Sequence, residues 1–263
     1  MNKSWKEITK ETLQHYYCDQ HLSDRQIGDL FGVTRNQVSY KRRYYHITRE
    51  TEVPTYNEKI IAYLHILGFN HVMEDVSQSR TVHKILGVPF RIIRLNEEYK
   101  NIRITFFGSS IVLSIDKRPN ENFQKMYGYV SSLIQSYLAY YGILIRGSLC
   151  IGHIYQDEQF VFGPAFVKAK YLEQKIARFP RIVIDANDLH TEIRSCRSSH
   201  KEKIKERFIY SNDGYYYLDC FYNNKKQNRN IILLRAQKML ATMSSTNQSI
   251  EEKIIWMKKE LEQ

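Results

Sequence analysis

Apolar positions repeat in one rhythm near the start of the chain and in another from about residue 59 onward. In Ser23–Phe31 the apolar residues Ile27, Leu30 and Phe31 fall three and four apart, on one face of a short helix that Ser23 can cap. Gly32-Val33 supplies a tight turn with an apolar plug, and Thr34 can cap a second helix running to Tyr45, with Val38 pointing inward. Upstream, Trp5, Ile8, Leu13 and Tyr16 or Tyr17 predict a packing helix over Trp5 to Gln20, which makes a trihelical head. The stretch from Ile47 to Glu58 is polar and broken by Pro54, so it reads as a linker.

Downstream the rhythm alternates between strand and helix. Ile60–Gly68 reads as a buried strand, about Asn70 to Leu86 as a helix, Arg91–Leu95 as a strand, and Ile102–Ile115 as two strands joined at Gly108-Ser109. A long amphipathic helix follows from about Asn120 to Tyr141, closed by Gly142. Ile143–Gly152 is the next strand, with a turn at Gln156-Asp157-Glu158 and a return through Phe160–Phe162. Gly163-Pro164 opens a helix to about Arg178, where the missing proline N–H costs nothing, and Arg181–Asp185 is a strand. Asn187–Arg207 is polar and helical. Phe208–Tyr210 and Tyr215–Asp219 form a hairpin, and Ile231–Met243 and Ser249–Leu261 are amphipathic helices. The fold class expected is α+β: an all-α helix-turn-helix head, a ferredoxin-like α/β sandwich with helices on a mostly antiparallel sheet, and a C-terminal helical extension. The expected boundaries are 1–48 for the head, 49–58 for the linker, 59–186 for the sandwich and 187–263 for the extension.

At 263 residues, with 43% hydrophobic and 13% aromatic content, the chain can bury a sizeable core. A net charge of +11 points to a polyanionic partner. Cys18, Cys150, Cys196 and Cys220 lie far apart with no Cys-x-x-Cys pair, which argues against a zinc site or a disulfide framework. No apolar run approaches the roughly 20 residues that span a bilayer, so no membrane partner and a reducing, cytoplasmic setting are expected.

The head resembles the helix-turn-helix of bacterial transcription regulators, with Gly28 where the two helices approach. That resemblance implies double-stranded DNA as partner, with Thr34, Arg35, Asn36, Gln37, Ser39, Tyr40, Lys41, Arg42 and Arg43 as the contact set. Arg35, Asn36, Gln37 and Ser39 would face base edges, and Lys41, Arg42 and Arg43 would face phosphates.

A second resemblance rests on four blocks in order. Leu64-His65-Ile66-Leu67-Gly68-Phe69 is followed by Phe107-Gly108-Ser109-Ser110-Ile111-Val112 and then by Ile145-Arg146-Gly147-Ser148 with Ile151-Gly152. The last block is Phe162-Gly163-Pro164-Ala165 with Ala169 and Leu172-Glu173. Together they resemble the signature of class III nucleotide cyclase domains over about Lys59 to Asp185, and make the expected sandwich cyclase-like. The resemblance implies a triphosphate substrate, two divalent ions held by two carboxylates, and an Asn and an Arg that stabilise the transition state. His65 and Ser109 stand at the carboxylate positions, and Val167 and Tyr171 at the other two. Imidazole and hydroxyl bring no compensating negative charge for hard dications. Glu74, Asp75 and Asp116 are the nearby acids able to substitute.

The expectation drawn from the sequence is therefore a sequence-specific DNA-binding transcriptional regulator that is not an enzyme, with no catalytic residue, metal or cofactor. Its cyclase-like domain is expected to form a homodimer and to offer a ligand cleft at His65, Ser109, Arg146 and Lys168 to a nucleotide or another anionic effector. Lys170 is a further cation near that cleft. The alternatives are an active nucleotide cyclase whose basic N-terminus localises it, and a non-catalytic defence or mobile-element interaction protein.

Overall fold

Ser23 and Thr34 each begin a helix in the way their sequence context dictates. In both, the hydroxyl accepts from the backbone N–H three residues on, while the glutamine there, Gln26 or Gln37, reaches back to the cap's own N–H. These reciprocal caps open α2 (Asp24–Phe31) and α3 (Arg35–Tyr44) in a computed structural model that describes residues 4–47, 55–118, 121–157, 159–226 and 230–262. Gly32 ends α2 at φ +65°. A Cβ on Gly28 would lie 2.5 Å from the Val33 carbonyl oxygen, so only glycine lets the turn close onto α2. Ahead of them, the helix expected over Trp5–Gln20 is divided into a 3-10 turn (Trp5–Glu7), α1 (Lys10–Gln14) and a π-turn (His15–Asp19). Ile8, Leu13, Ile27, Val38 and Ile47 form a small core of their own, flanked by Trp5, Tyr16 and Phe31.

The chain divides into two compact units, Met1–Thr55 and Tyr56–Gln263. Most of the expected linker 49–58, including Pro54, lies outside the described residues.

The second unit is built on a sheet ordered β2-β3-β1-β4-β6-β8-β7, with β5 paired to β4. Its strands are β1 (Asn57–Ile66), β2 (Arg103–Phe107), β3 (Ser110–Asp116), β4 (Ile145–Gln156), β5 (Val161–Phe162), β6 (Ile182–Ile184), β7 (Phe208–Tyr210) and β8 (Tyr216–Leu218). The pairings are antiparallel except β4 with β6. β1 runs through the middle, buried on both faces. Ile60, Ala62, Leu64 and Ile66 join one cluster with α7 (Asn122–Tyr141), while Ile61 and Tyr63 join another with α8 (Pro164–Tyr171). β4 approaches β1 so closely that a Cβ on Gly147 would meet the Tyr63 carbonyl oxygen at 2.4 Å.

Two expectations need correction. Arg91–Leu95 is not a strand but part of α6 (Val88–Leu95), which follows α4 (Phe69–Glu74) and α5 (Ser79–Leu86). Pro89 sits in the first turn of α6, where proline suits a helix, and the Tyr129 hydroxyl of α7 donates to the Pro89 carbonyl at 2.9 Å. Arg91-Ile92-Ile93-Arg94-Leu95 is too short for its three apolar residues to tell helix from strand, and tertiary packing decided it. The boundary at 186/187 also fails, because β8 of the expected extension pairs with β6 and continues the sheet. α9 (Ala186–Ser195) and α10 (Ser198–Lys205) precede the hairpin, and α11 (Tyr222–Lys226), α12 (Ile231–Thr242) and α13 (Gln248–Glu262) follow it. Ala236, Leu240, Ile254, Met257 and Leu261 bury into the main core.

Candidate functional site

Cross-strand register brings together residues that the sequence scatters over more than a hundred positions. On β1, His65 lies opposite Ser110 of β3 on one side and Arg146 of β4 on the other. Its Nδ1 is 3.4 Å from Ser110 Oγ and 3.4 Å from Ser109 Oγ in the β2–β3 turn. Burial is the main cause that holds the His65 pKa below its ordinary value. The Glu173 carboxylate works against it, and the Arg146 guanidinium adds to it. The imidazole is therefore neutral at pH 7.

Glu173 lies in the π-turn Leu172–Ile176 that continues α8, and is 3% exposed. It accepts from Arg146 Nε at 2.7 Å. A buried carboxylate thus grips the guanidinium by one edge, and the two terminal nitrogens of Arg146 make no hydrogen bond among the described residues. This is the geometry of an arginine oriented to meet an anion.

Lys168 does not join this cluster. Burial alone would lower its pKa, but Asp185 and Asp188 overcome that and hold it at about 12; Asp188 lies 2.9 Å away. Nor does any of the alternative acids reach His65. Asp75 caps a 3-10 turn through Ser77, Glu74 lies 3.7 Å from His71, and Asp116 pairs with Lys59 near the opposite end of β1. Val167 and Tyr171 are exposed on α8.

Sequence reasoning placed His65, Ser109 and Arg146 but missed Ser110 and Glu173 as site residues. Glu173 stands among Lys170, Gln174 and Lys175, so its sequence neighbourhood reads as a solvated helix face and carries no sign of its burial. The pair of hard dications that the cyclase resemblance implies finds a poor donor set here: one imidazole, two hydroxyls and a carboxylate already held by arginine. Among the described residues no group of three or more His, Cys, Asp or Glu side chains is placed to hold a metal ion.

In the first unit, much of the expected contact set is engaged internally. Thr34 and Gln37 cap α3. Arg42 makes two 3.0 Å hydrogen bonds to the Asp24 carboxylate and a third, at 3.2 Å, to the Ile47 carbonyl. Lys41 donates to the Trp5 carbonyl at 2.7 Å, and Arg43 to Ser39 Oγ at 3.0 Å. Arg35, Asn36 and Tyr40 are exposed, their side chains unbonded among the described residues, and Asn36 and Tyr40 help line a groove of about 510 Å³.

No family model matches the sequence, and no curated protein matches it. Solved structures do. The monomeric guanylyl cyclase domain of the RhoGC fusion protein from the aquatic fungus Blastocladiella emersonii is 14% identical, with a TM-score of 0.49, covering 64% of this chain and 98% of that one. A bacterial light-regulated adenylyl cyclase is 19% identical, with a TM-score of 0.46, covering 78% of this chain and 65% of that one. The adenylyl cyclase CyaB from P. aeruginosa is 14% identical, with a TM-score of 0.37, covering 62% of this chain and 94% of that one. At such identities the likeness concerns fold alone. All three are described as guanylyl or adenylyl cyclases, and this finding stands against the expectation of a transcriptional regulator that is not an enzyme. No helix among the described residues is long and apolar enough to cross a membrane.

Proposed function

We propose that the second unit is a nucleotide cyclase, taking a nucleoside triphosphate where His65, Ser109, Ser110, Arg146 and Glu173 meet. The observation that carries this reading is the orientation of Arg146 by buried Glu173, beside a histidine kept neutral. Cyclisation forms a bond from the ribose 3′-oxygen to the α-phosphorus and breaks the bond from that phosphorus to the bridging oxygen, releasing pyrophosphate. With Nδ1–H donated to the Ser109 or Ser110 hydroxyl, Nε2 of His65 presents a lone pair to take the 3′-hydroxyl proton. The terminal nitrogens of Arg146 face the charge that builds on the α-phosphate. Since the donor set does not suit paired dications, no step is assigned to a metal.

The test is to incubate the full chain with each of the four ribonucleoside triphosphates, in EDTA and with Mg²⁺ or Mn²⁺, and to assay for a 3′,5′-cyclic product by mass spectrometry. The expected result is a cyclic product with one of them that disappears in Arg146→Ala and His65→Ala. Specific activity should rise with protein concentration, because the unit works as a homodimer. Absence of a cyclic product with all four triphosphates under all three conditions would defeat the reading.

The first unit, in this reading, is a helix-turn-helix that holds the cyclase on double-stranded DNA through α3. Arg35, Asn36, Tyr40 and Arg43 remain outward on it. Binding to a duplex of arbitrary sequence should weaken steeply between 50 and 200 mM salt, and Arg35→Glu should flatten that slope by about 1. Salt-independent binding, or none, would refute it. The four cysteines are free thiols, which suits a reducing, cytoplasmic setting.

A further inference from the structure

Near the opposite end of β1 from His65 lies a second concentration of charge. Lys59 faces Asp116 across the β1–β3 pairing, and Arg103 faces Ser114 across β2–β3, so the four residues share one face of the sheet. With Lys100 before β2 and Arg118 after β3, they line a cleft of about 390 Å³. Six steps along β1 lead from Lys59 to His65, about 20 Å of strand.

Four cations stand here against one carboxylate. Lys59 is 8% exposed and pairs with Asp116 at 3.0 Å. Arg103 is anchored by Nη1, which donates to the Gln156 carbonyl at 3.2 Å. Lys100 and Arg118 are exposed, and their side chains make no ion pair or hydrogen bond among the described residues. A second, independent observation points to a ligand: Ser114 is completely buried in the wall of this cleft, and its hydroxyl has no hydrogen-bond partner among the described residues. An orphaned buried hydroxyl is costly unless something supplies the missing bond. An oxyanion would accept it and would offset the excess of cations.

We propose that this cleft binds a polyphosphate group, the diphosphate of an inorganic or nucleoside polyphosphate, at a site separate from the cluster around His65. Four cations line the cleft with Asp116 as its acid, and Asp157 acts on Arg103 from outside the lining, so an excess of positive charge remains that favours a multiply charged ligand over a carboxylate. The volume leaves room for more than one phosphate.

The test uses the full chain in EDTA at 0.15 M salt, with inorganic pyrophosphate as the calorimetric titrant and ADP in a parallel titration. Pyrophosphate should bind saturably, and the Lys100→Glu/Arg118→Glu double variant should lose at least tenfold in affinity. Its circular dichroism and thermal midpoint without ligand should match the wild type, since both side chains are exposed and unpaired. Arg146→Ala, altered at the other end of β1, should retain the wild-type affinity for pyrophosphate at this cleft. ADP binding that the double variant loses along with pyrophosphate binding would place the diphosphate of a nucleotide here, and pyrophosphate binding alone would indicate the inorganic anion. Equal affinity in the double variant, loss of all binding in Arg146→Ala, or no saturable binding would overturn the proposal. Because no turnover is read, this result stands or falls separately from cyclase activity.

Discussion

The two ends of β1 organise positive charge in opposite ways. At the His65 end one arginine is gripped by a 3%-exposed carboxylate, and the neighbouring titratable group is kept neutral by burial. At the Lys59 end the acid is the exposed partner, with 64% of the Asp116 side-chain surface accessible, and three further cations stand around it. A fixed, directional cation suits an atom-by-atom reaction, whereas a loose excess of charge suits binding. The same strand supports both because alternate residues from Lys59 to His65 lie on one face, with Ile61 and Tyr63 burying between them.

The largest expected effect contrasts the two ion pairs. Glu173→Gln leaves the Arg146 guanidinium without its counter-charge, and should cost about 2 kcal/mol in urea unfolding. This is less than a fully buried pair would lose, because 24% of the Arg146 side chain remains accessible. Asp116→Asn, which removes the exposed partner, should cost about 1 kcal/mol or less. Equal losses would show that the two ends are not differently built.

A smaller effect concerns protons. Because the folded state depresses the His65 pKa, the unfolded chain takes up a proton first as pH falls. The contribution of the neutral imidazole to stability is therefore fully present above the unfolded histidine pKa of about 6.5, and is lost as pH drops through and below it. His65→Phe should flatten that part of the stability–pH curve. A slope as steep in the variant as in the wild type would assign the dependence to other histidines.

Much of the fold was legible because it is written locally. The caps at Ser23 and Thr34, the glycine after Tyr141 and the hairpin turn at Asn212-Asp213-Gly214 each fix a boundary within a few residues. The errors lie where distant packing decides. Arg91–Leu95 took its helical form beneath Tyr129, and β8 found its place against β6 from 32 residues away, counted from Ile184 to Tyr216. The site divides in the same way. His65, Ser109 and Arg146 sit in short recognisable blocks, but the bond from Arg146 to Glu173 bridges 27 residues. The capture of Lys168 by Asp185 and Asp188 depends on how α8 packs on the sheet, which periodicity does not report.

The central claim is that the Arg146–Glu173–His65 cluster cyclises a nucleoside triphosphate. Its most direct test is mass-spectrometric detection of a 3′,5′-cyclic nucleotide from wild-type protein and from Arg146→Ala side by side. The account predicts product from the first and none from the second. Equal product from both, or product from neither, would contradict it.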